Sequence, residues 1–127
     1  MNSLDTNVVL RYLLDDIPEQ ALKSKEVITN YACYITDVVA VEIVFVLERV
    51  IAMDRSDIQR LVKAFLSLPS VVYNDYFLDE AIDLYGAKVS LSIVDCYAAI
   101  EAKVYGNHLL TFDKRLVSQG GKHVSGL

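Results

Sequence analysis

A chain of 127 residues, 54% of them hydrophobic, is long enough to bury a single core without disulfide or metal staples. Its formal net charge of -5 and pI near 4.9 exclude a protein that grips nucleic acid through a broad basic surface, unless a bound divalent cation reverses the potential locally. Two isolated cysteines, Cys33 and Cys96, have no CxxC spacing and read as buried, reduced thiols, which fits a reducing cytoplasm. The apolar share exceeds the usual 45 to 50% or so, and predicts a face kept for a second subunit or another partner.

The first five residues lack the basic region and apolar run of a secretory signal. Residues 2–5 form a candidate first strand that runs into a short helix from Asn7 to Leu14, with Leu10, Leu13 and Leu14 on one face. Pro18 opens a second helix with Ala21, Leu22, Val27 and Ile28 as its apolar positions. Tyr34-Ile35 reads as a second strand, after which Thr36 or Asp37 caps a long helix over Val38 to Met53. That stretch is the one candidate membrane span, but it is too short for one and carries Glu42, Glu48 and Arg49, so a soluble protein is expected. Ser56 caps a fourth helix that ends before Pro69, and Val71 to Tyr73 supplies a third strand. Helices over Phe77 to Val89 and Ser92 to Tyr105 follow, then a strand at His108 to Thr111, a short helix after Asp113, and an edge strand at His123-Val124. Strands alternating with helices, and no linker or repeat, predict one α/β domain over residues 1–127 with a mainly parallel sheet of four or five strands.

Four acids occupy positions where surface acids are not expected. Asp5 ends the first strand, and in open α/β sheets ligands bind beyond the carboxyl ends of the strands. Glu42 lies in Val38-Val39-Ala40-Val41-Glu42-Ile43-Val44-Phe45, with apolar residues on every side of the helix. An unpaired buried charge there costs several kcal/mol or so, so it requires a cation, a partner such as Arg49 or Lys63, or a place at the helix edge in reach of solvent. Asp95 stands in the first turn of its helix, where Ser92-x-x-Asp95 has the form of a capping box. Asp113 follows the strand Leu109-Leu110-Thr111 and reads equally as a helix cap. If all four gathered to within about 5 Å, each pair would repel by about 3 kcal/mol, and the cluster would need protonation or a cation. Carboxylate oxygens without Cys or His suit Mg²⁺ or Mn²⁺.

The order of these acids, in Leu4-Asp5-Thr6-Asn7-Val8-Val9-Leu10-Arg11-Tyr12-Leu13-Leu14, Val41-Glu42-Ile43, Ser92-Ile93-Val94-Asp95-Cys96 and Leu110-Thr111-Phe112-Asp113, resembles the PIN-domain family, and within it the VapC-type toxins of toxin–antitoxin pairs. The resemblance covers nearly the whole chain. It implies a three-layer α/β/α fold around a parallel sheet, with Asp5, Glu42, Asp95 and Asp113 binding Mg²⁺ or Mn²⁺ in a cleft, and Thr6, Asn7 and Thr111 orienting them. It further implies hydrolysis of RNA, a homodimer, and a small antitoxin protein that blocks the cleft. Arg11, Lys114 and Arg115 are the basic residues nearest the motifs, placed either to contact the RNA backbone or as solvated surface charge. Thr111 is expected beside Asp5 if the first and fourth strands are neighbours.

Two other acidic α/β classes fit less well. A phosphoacceptor receiver domain would need an acid adjacent to Asp5, and an aspartate-nucleophile phosphatase would need an acid where Asn7 stands. A non-catalytic PIN-like module, in which the acids serve only as caps and the apolar surplus binds a protein, is the remaining alternative.

Overall fold

In the computed structural model, which describes every residue from Met1 to Leu127, the chain forms two compact units, Met1–Asn74 and Asp75–Leu127. The first unit runs β1 (Asn2–Ser3), α1 (Thr6–Leu14), α2 (Pro18–Asn30), β2 (Cys33–Ile35), α3 (Asp37–Arg49), α4 (Arg55–Leu66) and β3 (Val71–Tyr73). Its three strands pair in the order β1-β2-β3, all parallel, with Asn2 opposite Cys33 and Cys33 opposite Val71. A helix pair makes each crossover, so the carboxyl ends of all three strands share one edge. Asp5, Asp37 and Asn74 all stand at that edge.

Local chemistry sets the helix ends. The Thr36 hydroxyl accepts from the Val39 amide at 3.1 Å and starts α3. Pro18 occupies the first position of α2, where its missing N–H costs nothing. Asp15 closes α1 in the left-handed conformation at φ 50°, a region that Asp tolerates better than most residues. Inside, Val9, Leu10, Cys33, Ile35, Ile43, Val44, Leu47, Ile58, Val62 and Phe65 are buried, and Tyr12 meets Phe65 with ring centroids 5.7 Å apart. Burial pushes the Cys33 thiol up from its ordinary pKa, an effect the N-terminal ammonium partly offsets.

The second unit runs α5 (Leu78–Ala87), α6 (Ile93–Tyr105), β4 (Leu109–Thr111), α7 (Lys114–Gln119) and β5 (Val124–Gly126). α5 packs on α6 around Phe77, Ala81 and Ile100, with Leu84, Tyr97 and Val104 completing the cluster. Gly106, at φ 72°, ends α6 in the left-handed conformation that glycine adopts without strain. β4, α7 and β5 form a βαβ unit whose strands pair in parallel, Leu109 opposite Val124.

Several expectations change. In place of one sheet of four or five strands, the five strands form a three-stranded and a two-stranded sheet, all parallel. The strand expected over residues 2–5 ends at Ser3, because Leu4 turns its side chain into the core and Asp5 already caps α1. β1 pairs with β2 and β4 with β5, so a ladder between the first and fourth strands does not form. The fourth helix is capped by Asp54, without a side-chain bond, and not by Ser56. Leu22 is 68% exposed and therefore lies off the buried face of α2, which is made by Ala21, Ser24 and Ile28. No helix is long and apolar enough to cross a membrane.

Candidate functional site

In the first unit, Asp5 stands between β1 and α1 and is exposed, while Thr6 beside it is buried. Its Oδ1 accepts from the Thr6 amide at 2.8 Å, one position short of the usual capping bond to the second or third helical amide. The helix entry thus fixes the carboxylate through one oxygen and leaves Oδ2 without a protein partner. Asn7 is exposed one residue further on.

Glu42 is the principal correction. The sequence surrounds it with apolar residues, yet it is exposed and takes part in no hydrogen bond or ion pair. The reason lies in its neighbours on the same helical face: Val38, four residues earlier, is 76% exposed, and Phe45, three residues later, is 50% exposed. The buried positions of α3 are Ala40, Ile43, Val44 and Leu47. Glu42 therefore stands at the helix edge in reach of solvent, where burial imposes no cost that a cation would have to offset. Arg49 is occupied elsewhere, 3.7 Å from Glu48 and stacked over the Phe45 ring.

Sequence reasoning treated Asp37 only as a possible cap. It is the first residue of α3, and its Oδ2 accepts from the Asn74 side-chain amide at 3.0 Å, tying the carboxyl end of β2 to that of β3. An acid two residues after a strand is the available signal, masked by the capping role shared with Thr36. Arg11 is engaged at the surface of its own unit: its Nε donates to Gln20 Oε1 at 2.9 Å and its Nη1 lies 3.3 Å from Asp16 Oδ2.

In the second unit, Ser92 Oγ accepts from the Asp95 amide at 3.1 Å, which is one half of the capping box. The Asp95 carboxylate does not return the bond, and half-buried in the first turn of α6 it has no protein partner. Asp113 uses Oδ1 alone as the cap of α7, accepting from the amides of Arg115 at 2.9 Å and Leu116 at 3.4 Å. The Thr111 hydroxyl accepts from the Asp113 amide at 3.0 Å and so fixes the backbone that carries this carboxylate. Lys114 and Arg115 are exposed and unpaired.

Asp5 and Glu42 thus belong to the first unit, Asp95 and Asp113 to the second. No set of three or more His, Cys, Asp or Glu side chains is gathered to hold a metal ion, so neither unit alone forms the cluster expected from sequence. The donor chemistry nonetheless suits a hard divalent cation. Glu42 and Asp95 commit no carboxylate oxygen to protein, and Asp5 and Asp113 commit one each to backbone amides, an arrangement that orients a ligand without consuming it.

The family model described as PIN domain matches residues 3–122, a span that runs across both units and contains all four acids. The chain belongs to the PIN-domain family, whose fold is a three-layer α/β/α arrangement. PIN domains are generally metal-dependent nucleases that act on nucleic acid, and they typically use divalent ions. No curated protein matches the chain closely enough to count as a relative.

Proposed function

We propose that this PIN-domain protein is a Mg²⁺- or Mn²⁺-dependent endoribonuclease, the toxin of a toxin–antitoxin pair, in which Asp5, Glu42, Asp95 and Asp113 together hold the metal. The observation that carries the reading is the state of the four carboxylates: each lies within the family match, and each keeps at least one oxygen free of protein partners.

An ion bound there supplies Lewis acidity toward a phosphodiester and toward the water that attacks it. The chain's own residues do the rest. Asp5 and Asp113 are held by the helix amides they accept from, so they do not have to be ordered when the ion binds. Thr111 fixes the backbone of Asp113, and Thr6 and Asn7 set the turn that presents Asp5. Lys114 and Arg115, next to Asp113, contact the RNA backbone, and Arg11, whose bonds to Gln20 and Asp16 are exposed, is the third candidate contact.

The toxin assignment, with a homodimer and a small antitoxin protein that blocks the acids, rests on the sequence resemblance together with apolar side chains left on the surface. Val38 and Phe45 flank Glu42, and Phe112 adjoins Asp113 with 81% of its surface exposed. A protein covering those side chains would cover the acids beside them. The place of action on this reading is the cytoplasm.

The test is cleavage of a mixed RNA pool by purified protein with Mn²⁺ or Mg²⁺, compared with EDTA and with Asp5→Asn. Cleavage that needs the ion and falls about a hundredfold or more in the variant is expected. Undiminished cleavage by Asp5→Asn overturns the assignment. Ion-independent inertness of both proteins favours the non-catalytic module.

A further inference from the structure

The chain contains two histidines, and they stand side by side. β4 and β5 run parallel with Leu109 opposite Val124, so the residues just before each strand, His108 and His123, meet at the entry to the pair. The Leu109 amide donates to the His123 carbonyl at 2.9 Å and fixes their backbones against each other. The imidazole centroids are 6.3 Å apart and the rings are tilted by 44°. His108 is exposed; His123 is half-buried, in the lining of a cleft of about 510 Å³ formed by α5, α6 and the turn from α7 to β5. No hydrogen bond or ion pair holds either ring.

We propose that His108 and His123 form a two-imidazole binding site for a transition-metal ion of the Zn²⁺, Ni²⁺ or Cu²⁺ class. Distance supports it. With metal–nitrogen bonds of about 2.1 Å, two imidazoles on one ion have centroids roughly 5 to 6.5 Å apart, depending on the angle at the metal. At a tetrahedral angle the centroids stand about 5.2 Å apart, so the two rings, 6.3 Å apart and held by no other bond, have to close by about 1 Å through side-chain rotation to share an ion. Neutral imidazole favours these ions over Mg²⁺ and Mn²⁺, which prefer carboxylate and water oxygens. Because no third His, Cys, Asp or Glu is gathered there, water fills the remaining positions and the affinity is moderate.

The site is separate from the four acids in chemistry and from Asp113 in position. It lies at the amino ends of β4 and β5, whereas Thr111 and Asp113 lie at and just beyond the carboxyl end of β4. An ion there clasps the final strand to its only hydrogen-bonded neighbour, so it stabilises the folded second unit by mass action.

The test uses untagged, chelator-treated full chain with Mg²⁺ in excess, titrated with Cu²⁺ and read by equilibrium dialysis and by nitrogen hyperfine structure in the electron paramagnetic resonance spectrum. One ion per chain with two nitrogen ligands is expected. His108→Gln and His123→Gln should each weaken binding by about tenfold or more, since each removes the intramolecular second ligand. Cu²⁺ or Zn²⁺ should raise the melting temperature of the parent and not of the variants. If His123→Gln fails to fold, the exposed His108→Gln carries the comparison alone. Binding of equal strength in the parent and in His108→Gln overturns the proposal, as does a parent that binds no ion more tightly than the double variant. RNA cleavage is not read, so the outcome is independent of the nuclease assignment.

Discussion

On the proposed reading, Asp113 divides one carboxylate between two tasks. Its Oδ1 satisfies two amides at the start of α7, and its Oδ2 has no protein partner and is free for the proposed ion. Substitutions separate the two. Asp113→Asn keeps an oxygen acceptor for the cap and removes the charge, so unfolding stability should stay within a few tenths of a kcal/mol while metal-dependent cleavage is lost. Asp113→Ala removes both and should also cost about 1 kcal/mol of stability. Urea denaturation beside a cleavage assay reads the difference; equal stability of the two variants would show that the cap contributes nothing. Capping and catalysis therefore do not compete as explanations of this residue. The same holds for Asp5, whose one committed oxygen orients the other.

At the scale of elements, the βαβ unit that presents Asp113 depends on close packing at the end of α7. A Cβ added to Gly120 would come within 2.6 Å of the Leu116 carbonyl oxygen and 2.8 Å of Val124 Cγ2. The backbone oxygen cannot swing aside, so Gly120→Ala should destabilise by about 1 to 3 kcal/mol. Gly126→Ala, whose nearest neighbour would be 3.8 Å away, should change stability by less than about 0.5 kcal/mol. Chemical denaturation of both variants checks this, and a neutral Gly120→Ala would mean that α7 shifts freely against β5.

The helices were legible because they carry their own stop and start signals: Pro18 at the head of α2, Thr36 before α3, Ser92 before α6, Gly106 after it. The strands were less so. Two or three residues each hold too little alternation to fix an end, and hydrogen bonding between distant segments decides which strands share a sheet. Glu42 shows where hydropathy misleads. Val38 and Phe45 look like core residues in a list but lie on the outer face of α3, and only the packing of Ala40, Ile43, Val44 and Leu47 reveals which side faces inward. The order of the four acids was legible through the family pattern, whereas the free or committed state of each oxygen was not, since that depends on which amides the helix entries present.

Across the whole molecule, 17 acidic residues against 12 basic ones leave no broad basic surface, so the proposed RNA substrate would be held by few phosphate contacts and by the proposed ion at the acids. That makes the joint action of the four carboxylates the central claim, and residues acting on one ion have a kinetic signature that independent residues lack. The decisive measurement is kcat/KM for Mn²⁺-dependent RNA cleavage by Asp5→Asn, by Asp95→Asn and by the double variant. One shared site predicts that each single substitution removes most of the activity and that the double variant falls no more than about tenfold below the weaker single. Losses that multiply in the double variant, or a single variant that cleaves at the parent's rate, would contradict the proposed joint action of the four acids.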